Sequence, residues 1–195
     1  MADSFDVIVV GLGAMGGATA FHLARRGQRV LGLERFELGH ARGSSHGESR
    51  IIREIYFEHP LYVPIVRRAY ELWHELERDV GEHLLTISGG LMIGPQHGTL
   101  VSGVLRSAME HDIPHDVLSA AELRVRFPGF DPSEDDVAVV DARAGYLDAD
   151  ACLRAHLALA ERLGATFRFE ERVVSWESDG QHVDVETDRG RYSAR

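Results

Sequence analysis

Apolar positions change rhythm several times along this chain, and each change marks an element. Val7–Val10 is an unbroken apolar run, and beyond a glycine-rich gap Ala18, Ala20, Phe21, Leu23 and Ala24 recur at helical spacing until Gly27. This pattern predicts a short, fully buried parallel strand, a tight turn and a helix. Residues 29–34, Arg-Val-Leu-Gly-Leu-Glu, predict a second buried strand ending in a carboxylate. An amphipathic helix is expected over residues 61–80, with Ile65, Ala69, Leu72, Trp73 and Leu76 on its apolar side. Strands are expected at 84–87, 90–93 and 137–140, with a helix at about 100–111 between the second and third. Ser119 with Glu122 three positions later reads as a capping box opening a short helix that Pro128-Gly129 ends. A helix over 148–163 is opened by acids and closed by Gly164, and 166–169, 172–176, 182–187 and 191–192 read as strands.

The gap after the first strand carries chemistry. In Gly11-Leu-Gly13-Ala14-Met15-Gly16 the first glycine permits the turn, the second admits a pyrophosphate close to the backbone, and the third lets helix pack on strand. Amides at the helix start, including those of Ala14 and Met15, face the ligand's negative charge. Such a string alone also occurs in ordinary loops. Glu34, about 20 residues further on at a strand end, has the position of an acid that accepts the ribose hydroxyls of an adenosine; read by itself it is a solvated charge. It repels a 2′-phosphate, whereas Arg35 beside it is a further candidate nucleotide contact and keeps NADP open.

Composition narrows the classes. The 195 residues are 44% hydrophobic and 27% charged, enough to bury a core. A formal net charge of −10 speaks against nucleic-acid or membrane-surface partners. One cysteine, Cys152, cannot form an internal disulfide, which favours a reducing, cytoplasmic setting. No leader or membrane-spanning stretch is expected, and no metal site: His111 and His115 are spaced by four but flank Pro114. Residues 190–195 read as the rising limb of a hairpin leading into a further strand, so the chain is expected to be the N-terminal half of something longer, with an exposed sheet edge.

A second constellation, residues 40–53, is locally basic and holds His40, Arg42, Ser44, Ser45, His46, Ser49, Arg50 and Arg53. Were it helical from His46, spacings of three and four would bring His46, Ser49, Arg50 and Arg53 to one face able to hold a pyrophosphate and a substrate carboxylate. The same residues also fit a surface helix whose arginines pair with Glu54 and Glu58, and Ser44 and Ser45 fit helix caps.

These two motifs, together with Tyr62-Val63-Pro64 and Glu71-Leu72-Trp73, resemble the monomeric sarcosine oxidase and N-methyltryptophan oxidase family of FAD-dependent amine oxidases. Residues 146–155, including Cys152, follow the same pattern. The resemblance implies an α/β fold in which a glutathione-reductase-like, Rossmann-type FAD domain (1–81 and 146–195, incomplete) interleaves with an antiparallel-sheet substrate domain (82–145, α+β). It implies FAD as cofactor, bound by Gly11, Gly13, Ala14, Met15, Gly16, Glu34, Arg35, Ser44, His46, Ser49, Arg50 and the backbone of Val173. Arg53 matches the residue binding the substrate carboxylate, Arg50 the one beside the flavin ring, and His46 completes the expected catalytic group. Glu48 stands where Asp is usual and Ser49 where Thr is. The family's flavin-attaching cysteine, oxygen-activating lysine and substrate-facing tyrosine and histidine belong to a later half; this chain has no lysine, and Cys152 matches a different cysteine. The reaction implied for the full-length protein is oxidation of an N-methyl or other secondary amino acid by oxygen, giving an imine and hydrogen peroxide. Glycine or D-amino acid oxidase, a flavin dehydrogenase, an NAD-dependent dehydrogenase, or an inactive nucleotide-binding module completed by a partner remain alternatives on the residues.

Overall fold

A computed structural model describes residues 4–195. In chain order its elements are β1 (Ser4–Phe5), β2 (Val7–Val10), α1 (Ala14–Arg25), β3 (Val30–Leu33), β4 (Arg50–Ile52), α2 (Tyr62–Val80), β5 (Leu85–Ile87), β6 (Gly90–Pro95) and α3 (Thr99–Glu110). Then come β7 (Asp116–Ser119), α4 (Ala120–Arg126), β8 (Asp136–Asp141), β9 (Gly145–Leu147), α5 (Ala149–Arg162), β10 (Thr166–Arg168), β11 (Val173–Ser178), β12 (Val183–Thr187) and β13 (Arg191–Ala194). They form two compact units, Met1–Ser49 with Asp148–Arg195, and Arg50–Leu147.

In the first unit the strand order β10-β3-β2 is wholly parallel. Central β3 is buried at all four positions, as its apolar run requires. β2 was expected to be fully buried too, but Val10 is 61% exposed. Among the described residues β2 is an edge strand, so one flank stays uncovered. Helices α1 and α5 pack together where Gly17 lies so close to Leu153 that a Cβ would come within 2.9 Å of its Cδ1. Asp148 caps α5 by accepting the Ala151 N–H at 2.8 Å. The second sheet of this unit has the order β1-β13-β12-β11. Here the expectation of an exposed edge at residues 190–195 is corrected: β13 lies between β12 and β1, with Ser193 and Ala194 in register with Ser4 and Phe5. Phe5, Leu31, Leu33, Val185 and Ala194 form a shared core beneath it.

The second unit holds two antiparallel sheets, β4-β9-β5 and β6-β8-β7. α3 buries Val101, Val104 and Ala108 with Met92, Val139, Ile55 and Val63. The Ser119–Glu122 capping box is present in full at the start of α4. In α2 the buried stripe is Val63, Val66, Tyr70 and Leu76, whereas Ile65, placed on the apolar side by the sequence pattern, is 66% exposed. Residues 50–81, grouped by sequence with the nucleotide-binding part, pack here because β4 pairs with β9 and Val63 enters the core around α3. No helix among the described residues is long and apolar enough to cross a membrane. The described residues also contain no group of three or more His, Cys, Asp or Glu placed to hold a metal ion.

Candidate functional site

The glycine loop joins β2 to α1 under tight steric limits. Gly11 has φ of 89°, a conformation that disfavours a side chain. A Cβ on Gly16 would lie 1.8 Å from the Gly11 carbonyl oxygen, so the helix can begin across the strand end only with glycine there. Gly13 sits at the N-cap and supplies no side-chain cap. Instead the Ser45 hydroxyl accepts the Ala14 N–H at 2.9 Å, and a Cβ on Gly13 would come 2.9 Å from that hydroxyl oxygen. The positive end of the α1 dipole therefore opens beside a polar loop.

Glu34, 8% exposed, is built into the same place. One carboxylate oxygen accepts the Leu12 N–H at 2.8 Å. The other accepts the Phe36 N–H at 3.1 Å and lies 3.4 Å from His40 Nε2. An ionised carboxylate has about four acceptor positions, so these bonds fix it without exhausting it. Glu34 is thus no solvated strand-end charge; it ties the loop to β3 and retains capacity for hydroxyls. A cleft of about 270 Å³ opens here, lined by Leu12, Gly13, Glu34, His40, Ser44 and His46, among others. His46 Nδ1 lies 2.6 Å from the Gly43 carbonyl oxygen, an acceptor only, so that nitrogen carries the proton. A helix N-terminus, a close-approach glycine and a fixed buried carboxylate on one cleft fit the pyrophosphate and adenosine of a dinucleotide such as FAD.

Of the other expected contacts, Gly11, Ala14, Met15, Gly16, Arg35, Ser49, Arg50 and Val173 are not among the residues lining this cleft. Arg35 places its guanidinium carbon 5.1 Å from the centroid of the Phe36 ring. Val173 begins β11, packed against the core that holds Leu31 and Leu33. His40, Phe36 and Phe169 line the cleft without having been singled out as ligand contacts. His40 stood inside the basic constellation, but only the folded loop shows that it turns back onto Glu34.

The helical arrangement of residues 46–53 is overturned. Gly47 has φ of 113°, and Arg50–Ile52 is the strand β4, with Arg50 opposite Leu147 and Ile52 opposite Gly145. Two adjacent β-branched isoleucines favour that pairing. The four side chains are therefore not stacked on a helix face: His46 and Ser49 belong to the first unit, Arg50 and Arg53 to the second. Arg50 is at an exposed strand position. Arg53, 29% exposed at its side chain, donates to both Glu58 oxygens at 3.0 and 3.3 Å. Its guanidinium carbon lies 4.6 Å from the Tyr56 ring centroid and 5.7 Å from that of Phe57. Its Nε is buried with no hydrogen-bond partner. The pairing with Glu58 is one the sequence allowed, while Glu54 is taken by Arg67 and Arg143. Arg53 thus already holds one carboxylate, on an aromatic shelf, and keeps one enclosed donor unmatched, a costly state unless an acceptor arrives.

Residues 6–195 match the model of a family described as FAD dependent oxidoreductase. A monomeric sarcosine oxidase of Streptomyces avermitilis is 50% identical over 194 residues, covering 100% of this chain and 50% of that protein. An N-methyl-L-tryptophan oxidase of Yersinia pestis is 34% identical over 190 residues, covering 97% of this chain and 51% of the relative. The solved structure of NikD, described as an unusual amino acid oxidase essential for nikkomycin biosynthesis, superposes with a TM-score of 0.87 at 32% identity. It covers 98% of this chain and 49% of that one. The chain spans about half the length of the curated relatives it matches.

Proposed function

Because the chain belongs to the FAD dependent oxidoreductase family, we propose that it supplies the nucleotide-holding and carboxylate-holding parts of an oxidase for an N-methyl or other secondary amino acid. In the loop of Gly11, Gly13 and Gly16, the Met15 amide faces the pyrophosphate, the Ala14 amide joins it once the Ser45 hydroxyl that now accepts its N–H gives way, and Glu34 takes the ribose hydroxyls. Ser44, His46 and Ser49 contact the cofactor further along, with Arg35 and Val173 at its adenosine end. Arg50 would be the residue beside the flavin ring, where its guanidinium would favour the negative charge of the reduced form.

Arg53 carries the reading of the substrate. Its Nη2 is held by Glu58 and its enclosed Nε–H lacks an acceptor; a substrate carboxylate that displaces Glu58 would take this planar pair of donors together. Holding the acid group fixes the neighbouring C–N bond in one orientation, and positioning of this kind is worth several powers of ten in rate. Flavin, when bound, would supply the electron chemistry, a two-electron (hydride-equivalent) acceptor that can return those electrons to oxygen as hydrogen peroxide. The oxidised substrate is an imine, which water hydrolyses; sarcosine, oxygen and water give glycine, formaldehyde and peroxide.

The test is incubation of the flavin-loaded protein with sarcosine under air. Peroxide and formaldehyde in equal amounts are expected. In the full-length protein that contains this chain, dye reduction without peroxide identifies a dehydrogenase, and absence of both removes sarcosine as a substrate. Arg50→Lys should slow single-turnover flavin reduction, and a normal rate would remove Arg50 from the ring.

A further inference from the structure

Two carboxyl groups of the second unit, Glu54 and Asp141, are each 1% exposed and have no part in the chemistry proposed above. Charges so far from water are tolerated only when their lone pairs are matched, and the stretch that follows Arg53 matches them. Asp141, at the end of β8, accepts the N–H groups of Glu54 and Ile55 on one oxygen at 2.7 and 3.0 Å. Its other oxygen accepts the N–H groups of Arg143 and Ala144 at 3.0 and 3.1 Å. Glu54 in turn accepts Arg67 Nε at 2.5 Å and faces Arg143 Nε at 3.3 Å.

Helix α3 fastens the next residues. The Ser107 hydroxyl donates to the Tyr56 carbonyl. A Cβ on Gly103 would fall 2.2 Å from the Phe57 carbonyl oxygen, so the helix lies directly against that peptide. His111 Nε2 is 2.8 Å from the Pro60 carbonyl. Tyr70 locks the 141–144 turn by donating to the Arg143 carbonyl at 2.7 Å, and burial near Asp141 holds its phenol well above the ordinary range. Arg53 is the residue immediately before this clamped stretch, and Glu58, its ion-pair partner, lies within it.

Resting on the reading of Arg53 as the carboxylate-holding residue, we propose that Asp141 is a positioning residue for Arg53. By fixing the peptides of Glu54 and Ile55, it sets where the guanidinium stands when the substrate acid group arrives. Asp141 itself touches neither substrate nor cofactor.

The test is a double-mutant cycle on the flavin-loaded protein with propionate as the probe, read by calorimetry. In Asp141→Asn the amide turns a donor toward one pair of backbone N–H groups and loses those bonds. The Kd for propionate should rise about tenfold with Arg53 present, the scale of a charged hydrogen bond, and change less than about twofold in an Arg53→Met background. Amide exchange at Glu54 and Ile55 should accelerate in the variant even without flavin. Equal weakening in both backgrounds, unchanged affinity, or unchanged exchange overturns the proposal. If Arg53→Met itself leaves propionate binding intact, the reading of Arg53 falls and the proposal with it; if Arg53→Met weakens binding and Asp141→Asn does not, only the proposal falls. Should Asp141→Asn fail to fold, Asp141→Glu keeps both acceptor oxygens and displaces them by one methylene. It should raise the Kd about threefold, again only with Arg53 present, and unchanged affinity overturns the proposal.

Discussion

The glycine loop and the Arg53 segment are both short, both follow a strand and both present groups suited to an anion, yet they are held in opposite ways. The loop is fixed largely by its own sequence: Gly16 clears the Gly11 carbonyl, and Glu34 at the end of the next strand returns to the Leu12 amide. The Arg53 segment is fixed by residues about 50 to 87 positions away, Ser107 and Asp141 above all. A site built from near neighbours is sensitive to single steric changes, whereas one built from remote tethers is sensitive to the loss of buried hydrogen bonds.

The largest effect expected is on the loop. Gly16→Val places a carbon 1.8 Å from the Gly11 carbonyl oxygen, and overpacking of that severity costs about 3 kcal/mol or more. The purified variant should carry little or no flavin, and a full complement would show that the loop's fit is not what holds the nucleotide.

The helix pair behind the loop responds to pH. His156 is enclosed beside Phe21 and its pKa is lowered to about 4, mainly by burial. The unfolded chain, with a histidine pKa near 6.5, binds more protons than the folded one between those values. The contribution is therefore fully present above about pH 6.5 and is lost as pH falls toward 4, amounting to about 3 kcal/mol at most. Urea denaturation at pH 7, 5.5 and 4.5 should show this loss in the wild type and a flatter profile in His156→Phe. Equal slopes would mean that other groups set the acid sensitivity.

At the other site, Arg53→Met should weaken binding of a small carboxylate by about 1.5–3 kcal/mol while leaving flavin content unchanged, which separates the two sites. Loss of flavin with it would merge them. The smallest effect belongs to Ser119→Ala, which removes the capping box of α4 and should lower stability by about 1 kcal/mol with no change in flavin content or carboxylate affinity. A change in either would mean that α4 reaches further than its packing suggests.

Legibility in sequence followed the same division. The strand, glycine loop and helix at residues 7–25, β3 with Glu34, the α4 capping box and α5 were readable because spacing and caps are local signals. The short strands β4, β7 and β9 were not anticipated. Each has only three or four residues, and its pairing partner is set by tertiary contact. The helical expectation for 46–53 failed because it relied on i, i+3 and i+4 spacing of polar residues, and it missed Gly47 and the Ile51-Ile52 pair, which favour an extended chain. Ile65 entered the predicted apolar side of α2 because spacing from Leu72 and Leu76 permits it, but Val63, Val66 and Tyr70 face the core instead. Asp141 carried no sequence signal at all: an acid between valines and an alanine becomes a tether only when β8 ends beside residues 54 and 55.

The most direct measurement is a crystal structure of the flavin-loaded protein soaked with propionate. A pyrophosphate is expected over the amides following Gly13, ribose hydroxyls on Glu34, and the acid group of propionate about 2.7–3.2 Å from the Arg53 guanidinium with Nε–H engaged. Propionate bound elsewhere, with Arg53 still paired only to Glu58 and its Nε–H unmatched, would contradict this expectation.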